Sequence, residues 1–383
     1  MSSINRATLP QAFLTEVNAG LLLPQPEPQY LFAKWALGNR MRAEALSNGA
    51  ATAMSYFGAM FNGVVPDGLA SMARAADFYP DFVRNVDALF GEGMGTVARL
   101  QRRKYEGGGY TETDRAVTVD KATSTTGKAI QMENVEIVLR EFEGPYDSGA
   151  SEIRPYALYD FAQKWENLKT KGGLVGETKH HLMRDAMKWL DTVIRDRFRS
   201  TQYITYTDAS ISSVSSYTAS ANQTANLDML FRAKQALADR EWQPFASTGR
   251  YVLLVPTVFD AQMLSDVTYR ELSKQHADGR NQIFGYIGSI QNVDLFECST
   301  LKSYAASDTV PGDSNTVPSG STVYEALLVG PGAVAHGMPT PFEAFYADDT
   351  DYGKYAKVIW RSAQAFQTVD QRGIQRLLFQ QAS

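Results

Sequence analysis

The chain has 383 residues with a formal net charge of −5, and 44% of them are hydrophobic. That length suits two or three domains or one core with large excursions, and the acidic balance excludes a dedicated duplex-DNA binder while leaving room for a local basic face. Four histidines and one cysteine are a thin catalytic inventory, and Cys298 alone forms no internal disulfide, which fits a reducing cytoplasm.

Residues 1–94 read as an amino-terminal arm and helical region. The first residues, Met1-Ser2-Ser3-Ile4-Asn5-Arg6, lack a signal-like apolar run. Leu21-Leu22-Leu23 is cut off by Pro24, Pro26 and Pro28, and no stretch approaches the length of an apolar membrane span. The Pro-rich strap is stiff and extended, so it loses little entropy on docking. A periodic segment follows from Tyr30 to Ala45, with Phe32 and Trp35 as apolar anchors beside the strap. Two weak helical patterns flank Pro80. The region is expected to dock on a neighbour through Leu22, Leu23, Phe32 and Trp35; a small helical domain packed on its own chain is the alternative.

Residues 95–130 read as a long hairpin. Thr96 to Tyr105 is a charged strand, Gly107-Gly108-Gly109 a flexible tip, and Arg115 to Val119 a return with period-two alternation. The mixed signs along 99–128 suit an exposed ribbon forming salt bridges. Arg99, Arg102, Arg103, Lys104 and Tyr105 are expected at a subunit contact, the cations pairing with a neighbour's carboxylates. Folding back on its own subunit is the alternative.

Residues 131–205 read as a third unit. Met132 to Phe142 alternates charged and apolar residues, as a half-buried strand does. A helix is expected from Glu177 to Arg199, with Leu182, Met183, Ala186, Trp189, Leu190, Val193, Ile194 and Phe198 on one stripe. Its other face carries Lys179, Arg184, Asp185, Lys188, Arg195 and Arg199.

Residues 206–345 read as the next unit. The polar stretch 201–225 suits a linker or exposed strand. Asn226 is placed to cap a helix ending near Glu241. Tyr251 to Val255 is a buried strand, and a helix is expected from Thr257, in a capping box with Asp260, to about His276. Strands follow at Ile283–Ile290 and Val293–Ser299. Ser307–Ser321 is a surface loop and Val323–Val329 a strand. Residues 346–383 close the chain as strands, chiefly Tyr355 to Phe366.

No junction holds an assignable catalytic or cofactor motif, and no cofactor or metal is expected. His180-His181 are adjacent, so they do not share a helical face, and solvated positions explain them. His336 lies in a loop bounded by glycines, and Cys298 reads as a small buried hydrophobe. Gly285-x-x-Gly288 lacks the leading pattern of a dinucleotide site. Asp348-Asp349-Thr350-Asp351 is the one acidic cluster; a charged turn explains it, and a hydrolase or metal-dependent enzyme built on it is the alternative function.

The order of parts resembles the major capsid proteins of tailed bacteriophages, above all those of short-tailed phages, which share the α+β Hong Kong 97-type fold. The stretch carrying this runs from Tyr251-Val252-Leu253-Leu254-Val255-Pro256 through Gly285-Tyr286-Ile287-Gly288-Ser289-Ile290 to Val293-Asp294-Leu295-Phe296-Glu297-Cys298-Ser299, and resembles the axial domain of that fold. Asp351-Tyr352-Gly353 and Val358-Ile359-Trp360 resemble the return to the peripheral domain, helix 177–199 its spine helix, and hairpin 95–130 the extended loop. The resemblance implies a non-enzymatic shell protein that self-assembles as pentamers and hexamers around double-stranded DNA without sequence specificity. It further implies Lys179, Arg184, Lys188 and Arg195 on the inner face, a separate scaffolding protein, a portal, cement proteins and no membrane. The expected location is the virion capsid, after assembly in the host bacterial cytoplasm. Another viral structural protein, such as a tail or connector component, is the alternative within this class.

Overall fold

The computed structural model describes residues 30–48, 75–90, 95–103, 132–147, 151–153, 155–159, 173–217, 223–263, 269, 285–313, 315–350 and 355–380. In chain order they form α1 (Leu31–Asn48), β1 (Val83–Asn85), β2 (Val97–Arg103), β3 (Met132–Gly144), β4 (Tyr146–Asp147), β5 (Glu152–Ile153), β6 (Tyr156–Tyr159) and α2 (Gly173–Arg199). There follow β7 (Ile204–Tyr206), α3 (Leu227–Asp239), β8 (Tyr251–Val255), α4 (Thr257–Met263), β9 (Tyr286–Ile290), β10 (Val293–Glu297) and β11 (Ser303–Tyr304). The last are β12 (Val323–Val329), β13 (Val334–Thr350), β14 (Tyr355–Thr368) and β15 (Ile374–Gln380).

Two sheets organise these elements. A long sheet has the order β1-β13-β14-β3-β2, with β6 also on β14. A second has the order β7-β15-β12-β8-β10-β9, with β11 on β12. The apolar run of β8 is explained by cover on both faces. Val252 and Leu254 point into a core shared with α1, α2 and the long sheet. Tyr251, Leu253 and Val255 point into a second core with α3 and α4. Neighbours on β12 alternate in the same way, Leu327 and Val329 to the first core and Ala326 and Leu328 to the second. In α3, Asn226 accepts a hydrogen bond from the Met229 amide at 2.8 Å, as the sequence predicts.

Helix α2 begins at Gly173, earlier than the sequence pattern predicts, and its 27 residues make a rod of about 40 Å at 1.5 Å per residue. Leu182, Met183, Ala186, Leu190, Ile194 and Phe198 are buried along one stripe. Trp189 seats the helix on the long sheet, with ring centroids 4.7 Å from Phe142, 5.3 Å from Trp360 and 5.8 Å from Phe366. Such a cluster adds oriented ring contacts to its area burial.

Several expectations are corrected. In 201–217, expected as a linker or exposed strand, β7 is an edge strand paired with β15, and the stretch is anchored where Val214 and Tyr217 sit in a small core with Tyr304, Val310, Val317 and Leu378. The same core takes two valines of the supposed surface loop 307–321. The division at 345/346 also fails, because β13 begins at Val334 in the long sheet and β15 belongs to the other sheet, between β7 and β12. Within 1–94, α1 and β1 are core elements rather than a detached arm. Helix α4 is described only from Thr257 to Met263, and the Thr257 hydroxyl donates to Glu297 at 2.7 Å. Gly107–Gly109, Arg115–Val119 and His276 lie outside the described residues.

Candidate assembly surfaces

Phe32 and Trp35, expected against a neighbouring subunit, are buried in their own chain. Phe32 meets Phe198 of α2 at 5.7 Å, and Trp35 meets Phe82 at 3.7 Å and Phe296 at 5.1 Å. The amino end of α1 is capped from a distance. The Asp191 carboxylate, mid-way along α2, accepts from the Phe32 and Ala33 amides at 2.9 and 3.2 Å, satisfying two of the donors that a helix start leaves open. Burial raises the Asp191 carboxyl above its ordinary range, partly opposed by these hydrogen bonds. Leu22 and Leu23 lie outside the described residues.

The hairpin arginines also find partners at home. Arg99 Nε lies 3.0 Å from Glu136 Oε1, its register neighbour on β3. Arg102 lies 2.9 Å from Glu133 and 3.1 Å from Asp370. These pairings replace the expected carboxylates of a neighbour. β2 pairs along its whole length with β3, from Val97↔Val138 to Arg103↔Met132. The Arg103 side chain, Lys104 and Tyr105 lie outside the described residues.

On α2 the predicted cationic face divides. Arg184, Lys188 and Arg195 line one open groove of about 520 Å³ with His181, Tyr30 and Thr300. The groove's acidic members are engaged inward. Asp185 accepts from Trp360 Nε1 at 2.8 Å, and Asp191 caps α1. Arg195 is also a brace, donating to the Thr300 carbonyl at 2.6 Å. The Lys179 side chain lies outside the described residues. Arg199 is not on the outer face at all. It is buried with Glu325 and Arg376, its Nε 2.6 Å from Glu325 Oε1, while Arg376 Nη2 lies 3.0 Å from Glu325 Oε2. The Tyr304 hydroxyl donates to the same carboxylate at 3.0 Å. Burial is the largest single influence and opposes the charge on Arg199, but Glu325 and Tyr304 together outweigh it and raise the guanidinium's pKa. Burial and the adjacent Glu325 push the Tyr304 phenol up to about 12. This cluster ties the carboxyl end of α2 to β11, β12 and β15.

His336 is corrected from loop to strand. It lies within β13, stacked on Phe366 at 4.9 Å, with Nε2 3.0 Å from Gln364 Oε1. Burial pulls its pKa down to about 4, partly opposed by the Gln364 hydrogen bond; Asp87 and Arg40 are the charges that face it. A folded-state value below the ordinary 6.5 means that the folded chain binds fewer protons than the unfolded one. The stability is therefore fully present above pH 6.5 and is lost as pH falls toward 4, by up to about 3 kcal/mol. Thermal unfolding from pH 7 to 4 should show a shallower acid slope in His336→Gln than in the wild type. Identical slopes would mean that His336 is not the neutral buried group.

Among the described residues, no three His, Cys, Asp or Glu side chains are grouped to hold a metal ion, and no helix is long and apolar enough to cross a membrane. Cys298 is buried, and burial raises its thiol to about 12, far from nucleophilic use at neutral pH. Asp348 and Asp349 fall at the end of β13 rather than in a turn; their side chains and Asp351 lie outside the described residues.

No protein-family model matches the sequence, and no curated protein does. Solved structures match the fold. A chain of the cyanophage Pam1 capsid asymmetric unit is 12% identical, with a TM-score of 0.56 over 79% of this chain and 89% of that one. The acidic stable capsid of Helicobacter pylori bacteriophage KHP30 gives 0.53 at 12% identity, over 78% of this chain and 88% of that one. The head of Helicobacter pylori bacteriophage KHP40 gives 0.51 at 13% identity, over 79% and 87%. The chain has the fold of phage capsid proteins, the α+β Hong Kong 97-type fold expected from the sequence.

Proposed function

We propose that the chain is a major capsid protein, a structural and non-enzymatic component whose copies form pentamers and hexamers of an icosahedral shell around double-stranded DNA. The observation carrying this reading is the fold shared with the cyanophage Pam1 capsid chain over nearly the full length of that chain. An overhanging β2–β3 ribbon and exposed apolar side chains such as Val97, Met132 and Val138 give the subunit surface to bury against other copies. Leu22, Leu23, Arg103, Lys104 and Tyr105 are proposed contacts to a neighbour. Lys179, Arg184, Lys188 and Arg195 are proposed to face the DNA. A separate scaffolding protein, a portal and cement proteins are the proposed partners, the virion the final location, and the bacterial host cytoplasm the place of assembly.

Electron microscopy of the purified protein, alone and coexpressed with its viral partners, should show capsomers or closed shells. A stable monomer in every such preparation and in virions overturns the reading. Replacing Lys179, Arg184 and Lys188 together with Gln should leave assembly largely intact and alter DNA packing modestly. Arg195 is kept out of that variant because it braces Thr300. Complete loss of assembly would make this face a subunit contact instead.

A further inference from the structure

Strand β3 pairs with β14 only from Leu139 to Gly144, whereas β2 pairs with β3 from Met132 to Val138. Val97–Arg103 and Met132–Val138 therefore form a two-stranded ribbon overhanging the long sheet. Two strands hold their shape weakly by themselves, so the ribbon's angle depends on what it touches. Its root is apolar: Ala98 and Ile137 pack on Phe90, Ala335, Ala365 and Val369. Beyond the root, an open cleft of about 540 Å³ separates ribbon residues 133–136 from Gln202, Tyr203 and the turn 367–372.

Arg102 spans this cleft. One end of its guanidinium holds Glu133 on the ribbon at 2.9 Å. The other lies 3.1 Å from Asp370 and donates to the Val369 carbonyl at 2.5 Å. Asp370 is itself fixed on the body. It is mostly buried, pairs with Arg372 at 2.6 Å and caps the short turn Gln371–Gly373 through the Arg372 amide. The neighbouring Arg99–Glu136 pair has the same chemistry but stays within the ribbon, exposed on both sides.

We propose that Arg102 is a strut that sets the angle of the β2–β3 ribbon against the subunit body, and that its release lets the ribbon swing about its apolar root while the rest of the chain stays folded. A charge-assisted contact with a buried carboxylate outlasts an exposed pair, which separates Arg102 from Arg99. The inference rests on the subunit's own geometry and holds whether or not shells form.

The test places spin labels across the cleft on the full chain carrying Asn134→Cys and Gln202→Cys, both exposed positions. The native Cys298 is fully buried and does not compete for label. The distance distribution should be narrow in the parent and about twice as wide in Arg102→Gln, with an unchanged thermal unfolding transition. Arg102→Lys keeps the charge without the planar fork that reaches two carboxylates, and should widen it as well. Arg99→Gln should match the parent. Equal distributions in Arg102→Gln and Arg99→Gln overturn the proposal. So does widening in Arg102→Gln that appears only together with a lowered unfolding transition, which would make Arg102 a general stabiliser.

Discussion

Glu325→Ala should destabilise the chain by about 3–5 kcal/mol, because it leaves Arg376 as an unpaired charge in the interior and Arg199 with only the exposed Asp196, 2.8 Å away, as its partner. Glu325 and Arg376 are fully buried, and Arg199 nearly so. The single carboxylate answers both guanidiniums, at 2.6 and 3.0 Å. Removing it leaves like charges facing each other where water cannot screen them. The loss should reach beyond the site, since the three residues belong to α2, β12 and β15. Replacing Arg199, Glu325 and Arg376 together with apolar residues of similar volume should cost much less than Glu325→Ala. Urea unfolding of the two variants decides the matter. A Glu325→Ala protein within about 0.5 kcal/mol of wild type would show that the carboxylate is not the counter-ion of both arginines.

Gly144→Ala is expected to cost about 3 kcal/mol, by overpacking. A β-carbon at Gly144 would lie 2.4 Å from Trp360 Cε2 and Nε1 and 2.5 Å from Cζ2. The ring has little freedom to retreat. Its Nε1 donates to Asp185 at 2.8 Å, and the ring packs against Trp189 and Phe342, with centroids 5.3 Å away in each case. The backbone is fixed too, because Gly144 is the register partner of Trp360 in the β3–β14 pair. In a double-mutant cycle, Gly144→Ala should cost markedly less once Trp360 is Phe, whose smaller ring leaves room. Equal costs in both backgrounds would place the strain elsewhere.

Elements whose cause is local were legible in the sequence. Asn226 stands immediately before a helical stripe and caps it. The run Tyr251–Val255 has the length and branching of a strand covered on both faces, and Val323–Val329 has turn residues on either side. The assembly surfaces were less legible, because an apolar or charged pattern does not name its partner. Phe32 and Trp35 have the spacing of anchors on any surface, and here that surface is their own α2, β10 and the segment around Phe82. The arginines of β2 would show the same alternation whether the opposing carboxylates were on β3 or on another subunit. Arg199 sits at an exposed phase of the helix pattern, yet tertiary partners more than 100 residues away draw it inward. His336 was misplaced because nearby glycines suggest a loop, while the ladder that holds it, β1-β13-β14, joins segments far apart in the chain. Asp191 as the cap of α1 has no sequence signal, since cap and helix are 159 residues apart.

The position of β15 bears on when the second sheet closes during synthesis. Segments of the two sheets are interleaved along the chain: β3 serves the long sheet, β7 to β12 the other, β13 and β14 the long sheet again, and β15 the other. Until residue 380 leaves the ribosome, β12 is an open edge and β7 has no strand beside it. Glu325 and Arg199 likewise wait for Arg376. A nascent chain therefore cannot close the second sheet as a finished module until residues 374–380 have been made.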